Sequence, residues 1–195
     1  MKSFCVWNNT IQQMKDFVFN HKVEHCVYLK TNGNMYYFDK NTISKGEQKQ
    51  GRNMCEYRGP YQECIFHSHP YISRSYPSRE DILKVMKRDK IKCSIISTRW
   101  GIYTIKLTKN SCDEYNKYLT VGISYLEKDI KSVIDKIGEL EDIKGYSKVN
   151  QVYPTDINSD DVDTINDCLN ALEFITKLNI KFYSWDFFYK NNIII

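Results

Sequence analysis

Apolar residues recur along this chain at two spacings, and the switches between them outline its elements. Ile11, Met14, Phe17 and Val18 repeat at helical spacing behind Asn8-Asn9-Thr10, good helix-capping residues, which predicts a helix over residues 10–20. Over residues 23–29 the period falls to two. Val23, His25, Val27 and Leu29 share one face of a predicted strand, and Glu24, Cys26 and Tyr28 share the other. Thr31-Asn32-Gly33-Asn34 is a hairpin turn signal, with residues 35–38 as the returning strand. Residues 39–60 are polar, carry Gly46, Gly51 and Gly59, and predict a long loop with a short strand near 54–57.

Residues 64–67 form a short apolar run that ends in histidine, read as a buried strand. Ile82, Leu83, Val85 and Met86 predict a helix over 78–89. Two more strands follow over 92–98 and 102–107, joined at Arg99-Trp100-Gly101, and residues 108–122 read as a loop. Leu126, Ile130, Val133, Ile134 and Ile137 then predict a helix over 125–140. A polar linker over 142–160 contains Pro154. A helix over 161–178 and a strand over 180–188 close the chain. Helices and strands alternate around a hairpin, so the expectation is a mixed α/β (α+β) fold with one main sheet.

Composition narrows the picture. The chain has 195 residues, of which 42% are hydrophobic and 27% charged, which fits a globular domain with a sizeable core. Its 28 Lys+Arg against 24 Asp+Glu leave only +4, too dispersed to point to nucleic acid as a partner. No apolar run approaches the roughly 18 residues that cross a bilayer, so no membrane partner is expected. The seven cysteines follow no regular spacing and form no CxxC pair. With no signal-peptide pattern at the N-terminus, they read as reduced thiols in an intracellular, cytoplasmic or nuclear, protein. Cys26 and Cys64 read as core residues rather than nucleophiles.

The chemistry concentrates in Phe66-His67-Ser68-His69-Pro70 and Pro77-Ser78-Arg79-Glu80-Asp81. Side chains two apart on a strand point the same way, so His67 and His69 present two imidazoles on one face. Pro70 breaks the pairing, and the loop 70–77 can bring Asp81 back from the first turn of the next helix. Two nitrogens and one carboxylate form a three-ligand zinc set with one position open, and zinc held this way brings the pKa of its water to near 7. Such a water also needs a proton acceptor that is not a ligand, and Glu24, on a strand beside the histidine strand, is the candidate general base. Taken alone, Ser78-x-x-Asp81 is a helix cap, a histidine pair is a surface feature, and Glu24 is a solvated strand carboxylate. Their combination favours the metal reading.

These residues resemble the JAMM (MPN-plus) metalloprotease family, whose signature is an upstream Glu, His-Ser/Thr-His-Pro, a short loop and Ser-x-x-Asp. Here the pattern reads Glu24, His67-Ser68-His69-Pro70 and Ser78-Arg79-Glu80-Asp81. The resemblance covers about residues 8–110. It implies a JAMM/MPN-like (cytidine-deaminase-like) fold, with a central mixed sheet flanked by helices over 1–141. The linker 142–160 and a helix-strand extension over 161–195 follow. It also implies Zn2+ held by His67, His69 and Asp81, catalysis by Glu24, and a hydrogen bond from Ser78 to the tetrahedral oxyanion. The implied substrates are conjugates of ubiquitin or a ubiquitin-like modifier, and a partner MPN-type subunit belongs to the same expectation. The alternatives are a metal-stabilised MPN-type binding or assembly module and a RadC-like protein, which the helix start at 77–82 also resembles. The loop 70–77 is one residue longer than the common family pattern. That length costs little in closure entropy but alters the shape beside the metal.

Overall fold

The computed structural model describes residues 5–6, 8–32, 35–49, 52–87, 90–144 and 157–187. In chain order these give β1 (Cys5–Val6), α1 (Asn8–Phe19), β2 (His25–Asn32), β3 (Met35–Phe38), a 3-10 turn (Lys40–Thr42), β4 (Ser44–Lys45), β5 (Glu47–Lys49) and β6 (Arg52–Met54). Then come β7 (Cys64–Ser68), α2 (Arg79–Met86), β8 (Cys93–Ser97), β9 (Gly101–Lys106), α3 (Lys109–Val121), α4 (Ile123–Lys144), α5 (Ser159–Thr176) and β10 (Asn179–Ser184). The mixed α/β expectation holds. One open mixed sheet runs β1-β3-β2-β7-β8-β9-β10, with β4 also paired to β2.

Its centre is the parallel pair β7–β8, joined through α2, while β2 and β9 flank that pair antiparallel. The strands are apolar on both faces because helices cover both. Phe66, Ile95 and Ile102 face the cluster that includes Met14, Phe17 and Val18 of α1. The neighbouring Ile65, Ile96 and Tyr103 face the larger cluster built with α2, α4 and α5. That alternation fixes the face on which His67 emerges, since it follows Ile65 by two positions. Asn158 caps α5, its side chain accepting from the Asp161 backbone N–H, and α5 delivers β10 to the sheet edge beside β9. Phe182 and Trp185 are buried there, and the Trp185 indole N–H donates to the Thr98 carbonyl at 2.9 Å.

Three expectations need correction. Residues 108–122 hold the helix α3 rather than a loop. Thr108 and Ser111 form its capping box, but its inward side chains are Cys112, Tyr115 and Tyr118. Without an aliphatic stripe the helical period is hard to read. The stretch 39–60 contains β4 and the hairpin β5–β6, whose polar strand sequences lack the apolar alternation that signals a strand. The thiols are not all reduced: Cys26 is bonded to Cys55 and Cys64 to Cys93, with Cys112 and Cys168 free among the described side chains. Cys64 and Cys93 are register partners across β7–β8, a juxtaposition that the spacing of cysteines along the chain cannot reveal. Most of the predicted linker, 145–156 with Pro154, lies outside the described residues; of the strand expected over 180–188, β10 ends at Ser184, residues 185–187 are helical and residue 188 lies outside the described residues. No helix among the described residues is long and apolar enough to cross a membrane.

Candidate metal centre

The site forms where β7 ends and α2 begins. His67 is the fourth residue of β7, and His69 follows immediately after the strand, its N–H donating to the Ser97 carbonyl at 2.8 Å. Asp81 enters from the first turn of α2. Its backbone N–H is capped by Ser78, and its carboxylate accepts from the Ser78 N–H, so the sequence signal for a helix start and the ligand position coincide. His67 Nε2 lies 3.2 Å from Asp81 Oδ1 and His69 Nε2 lies 3.7 Å from Asp81 Oδ2. One donor atom from each of the three residues falls within 4.8 Å of the others, so the cluster can hold a metal ion.

The donor chemistry fits such an ion. Burial and the neighbouring His67 push His69 down to about 3, which keeps its imidazole neutral and able to ligate. Burial disfavours charge on His67 too, but the Asp81 carboxylate outweighs it and raises its pKa. Burial alone would raise Asp81. His67, His69 and the Ser78 hydrogen bond overcome that and hold the carboxyl well below the usual range. Both Nδ1 atoms are buried, and the Nε2 atoms are the ring nitrogens nearest the Asp81 carboxylate. Two imidazoles and a carboxylate make the N2O set that suits zinc.

Glu24 sits one residue before β2, not within it, and lines the same cavity of about 580 Å³ as His67, His69, Ser78 and Asp81. The Gly46 N–H donates to its carbonyl at 2.7 Å, fixing the backbone there. Burial pushes its carboxyl up to about 7, against the opposing pull of His67 and Arg74. A carboxyl tuned to that value exchanges protons at neutral pH. Ser78 also lines the cavity, but its hydroxyl donates to Asp81 Oδ2 at 2.7 Å and accepts from the Asp81 N–H. In this state it orients the ligand carboxylate as well as capping the helix.

The loop 70–77 is held from outside the motif. Arg99, 2% exposed, donates from Nη1 to the carbonyls of Tyr71 and Ser73, and from Nη2 to Glu141 near the end of α4. The Ser75 hydroxyl donates to the same Glu141 oxygen at 3.1 Å, and the Tyr71 N–H donates to the Val18 carbonyl of α1. Gly138 of α4 lets the Tyr76 hydroxyl approach so closely that a Cβ there would meet it at 2.8 Å. The loop 70–77 is therefore clamped by a turn and two helices. Arg99 reads in the sequence only as part of a turn, and nothing along the chain announces Glu141 as its partner.

Tyr57, Arg74 and Lys84 also line the cavity, and none stood out in the sequence. For Lys84 a signal existed: it follows Asp81 by three positions and shares its face of α2. Its Nζ lies 4.4 Å from the centre of the Tyr57 ring, and burial lowers its pKa. Cys26, opposite His67 in the β2–β7 register, brings the Cys26–Cys55 bridge to the cavity wall. No family model matches this chain, and no curated protein and no solved structure is significantly similar to it.

Proposed function

We propose that the protein is a zinc-dependent hydrolase of peptide or isopeptide bonds, acting on conjugates of ubiquitin or a ubiquitin-like modifier. The observation that carries the reading is the shared cavity. A three-residue metal-ligating cluster and a non-ligating carboxyl raised to about 7 line the same space. His67, His69 and Asp81 would hold the ion, which supplies Lewis acidity to a water and to the scissile carbonyl. Glu24 takes the proton of the attacking water and passes it to the leaving amine. Ser78 keeps the Asp81 carboxylate aimed at the ligand position. When the substrate carbonyl becomes an oxyanion, a rotation of the Ser78 hydroxyl brings its proton to bear on that charge. The modifier and the JAMM family assignment rest on the motif resemblance; the hydrolytic chemistry rests also on the geometry.

The test pairs metal content with turnover. Purified protein is expected to carry about one zinc per chain, to cleave ubiquitin or ubiquitin-like conjugates, and to stop when chelated while staying folded. Glu24→Gln should retain the metal and lose about 10²–10⁴-fold in kcat. A pure protein without metal, or cleavage indifferent to Glu24→Gln, overturns the mechanism. Unfolding on chelation would assign the ion a structural role instead.

A further inference from the structure

A second cavity, of about 370 Å³, adjoins the metal cavity and shares Tyr57 and Lys84 with it. Its chemistry is the reverse of its neighbour's. Lys84, Lys87 and Lys90 line it, together with Tyr28, Tyr57 and Tyr61, and among the described residues no carboxylate does. The tyrosines form one cluster, with Tyr28 5.2 Å from Tyr57 and 5.5 Å from Tyr61 between ring centres. Lys84 Nζ sits over Tyr57 at 4.4 Å and Lys90 Nζ over Tyr61 at 5.7 Å. Among the described residues none of these three lysines pairs with a carboxylate, although most other charges near the site are matched. Three cations gathered on an aromatic wall repel one another, with only Lys84 within the influence of a described carboxylate, that of Asp81, and a bound anion relieves that repulsion.

We infer that this groove binds an extended acidic peptide segment, carrying Asp or Glu residues beside the amide that reaches the metal cavity. The substrate side of the inference rests on the hydrolytic reading of that cavity; the binding does not. A single-stranded nucleic acid also likes lysines and aromatic rings. It is disfavoured because the groove leads into Glu24, Glu80 and Asp81, which repel a phosphate backbone. The chain's net charge of +4 also offers no extended basic track. A peptide can change its charge from one residue to the next and so suit both cavities.

The test uses zinc-loaded Glu24→Gln protein, which holds substrate without turning it over, and fluorescence anisotropy of labelled hexapeptides. One peptide has an acidic flank, one a neutral flank and one a lysine flank. The acidic peptide should bind about tenfold tighter than the neutral one, with the lysine peptide weakest and the preference shrinking in high salt. In the same background the surface pair Lys87→Glu with Lys90→Glu should cost the acidic peptide about tenfold and favour the lysine peptide, with metal content and circular dichroism unchanged. Equal binding of all three peptides, or an oligothymidylate that binds tighter than the acidic peptide, overturns the inference. Binding of the acidic peptide without its cleavage by wild type supports the groove and counts against the hydrolytic reading. Cleavage without charge preference does the reverse.

Discussion

Asp81 and Glu24 line one cavity from different parts of the chain and are held in opposite states. On the β7–α2 wall, Asp81 receives hydrogen bonds from Ser78 and stands between two imidazoles, so its charge is stabilised far below neutral pH. On the β2 wall, Glu24 is desolvated, its largest influence is burial, and its carboxyl rises to about 7. The same functional group is thereby prepared for two tasks. A saturated carboxylate makes a ligand, and a desolvated carboxyl makes a proton shuttle. Pairs of titratable groups driven apart by their surroundings identify the roles more sharply than residue type does.

The largest expected effect comes from the ligand wall. Asp81→Ala removes one of three donors and the hydrogen-bond acceptor of Ser78. It should abolish stoichiometric zinc binding and lower kcat/KM by about 10³-fold or more, read by metal analysis and a peptide cleavage assay. If Asp81→Ala kept its metal while Glu24→Gln lost it, the two roles would be reversed.

Next comes the clamp behind the ligand wall. Arg99→Met removes the donors to Tyr71, Ser73 and Glu141 and leaves the Glu141 carboxylate without its cation. Stability should fall by about 2–4 kcal/mol in denaturant titration, because an uncompensated charge remains largely buried. Zinc affinity should fall about 10–100-fold, as expected when the shell that orients ligands is loosened. Unchanged zinc affinity would mean that the loop 70–77 keeps its shape without the clamp.

The smallest effect separates the two carboxylates by pH in the metal-free protein. Glu24 has a folded pKa raised from 4.5 to about 7, so the folded state loses stability as pH rises through that window. Glu24→Gln should therefore melt higher than wild type above pH 7 and close to it below pH 4.5. The difference is of order 1 kcal/mol, after discounting for the partial solvent exposure of Glu24. Asp81 has the opposite sign. Its folded pKa is depressed, so it stabilises the fold above 3.8 and loses that contribution as pH falls below. Adding zinc draws the Glu24 value down from 7, because a nearby dication favours the carboxylate. A Glu24→Gln melting difference that did not vary with pH would remove the basis for the comparison.

Much of the site was legible because its ligands lie close together in the chain. His67 and His69 share a strand face by period two, and Ser78 with Asp81 marks a helix start whichever role is assigned. The helices α1, α2, α4 and α5 were legible for a similar reason, since aliphatic stripes carry their own period. The helix α3 was not, with tyrosines and a cysteine in place of that stripe. The hairpin β5–β6 was not either, because polar strands carry no alternation.

The sequence by itself determined which atoms could ligate, which residue types could move a proton, and that a mixed α/β sheet would carry them. Tertiary structure alone decided that Glu24 meets the histidines, that Arg99 and Glu141 brace the intervening loop, and that Cys64 faces Cys93. It also decided that a lysine-lined groove opens beside the metal cavity. The reason is physical: short-range periodicity sets the direction of each side chain. Burial, pKa and counter-charge depend on neighbours tens of residues away, which only the packed sheet and its helices bring together.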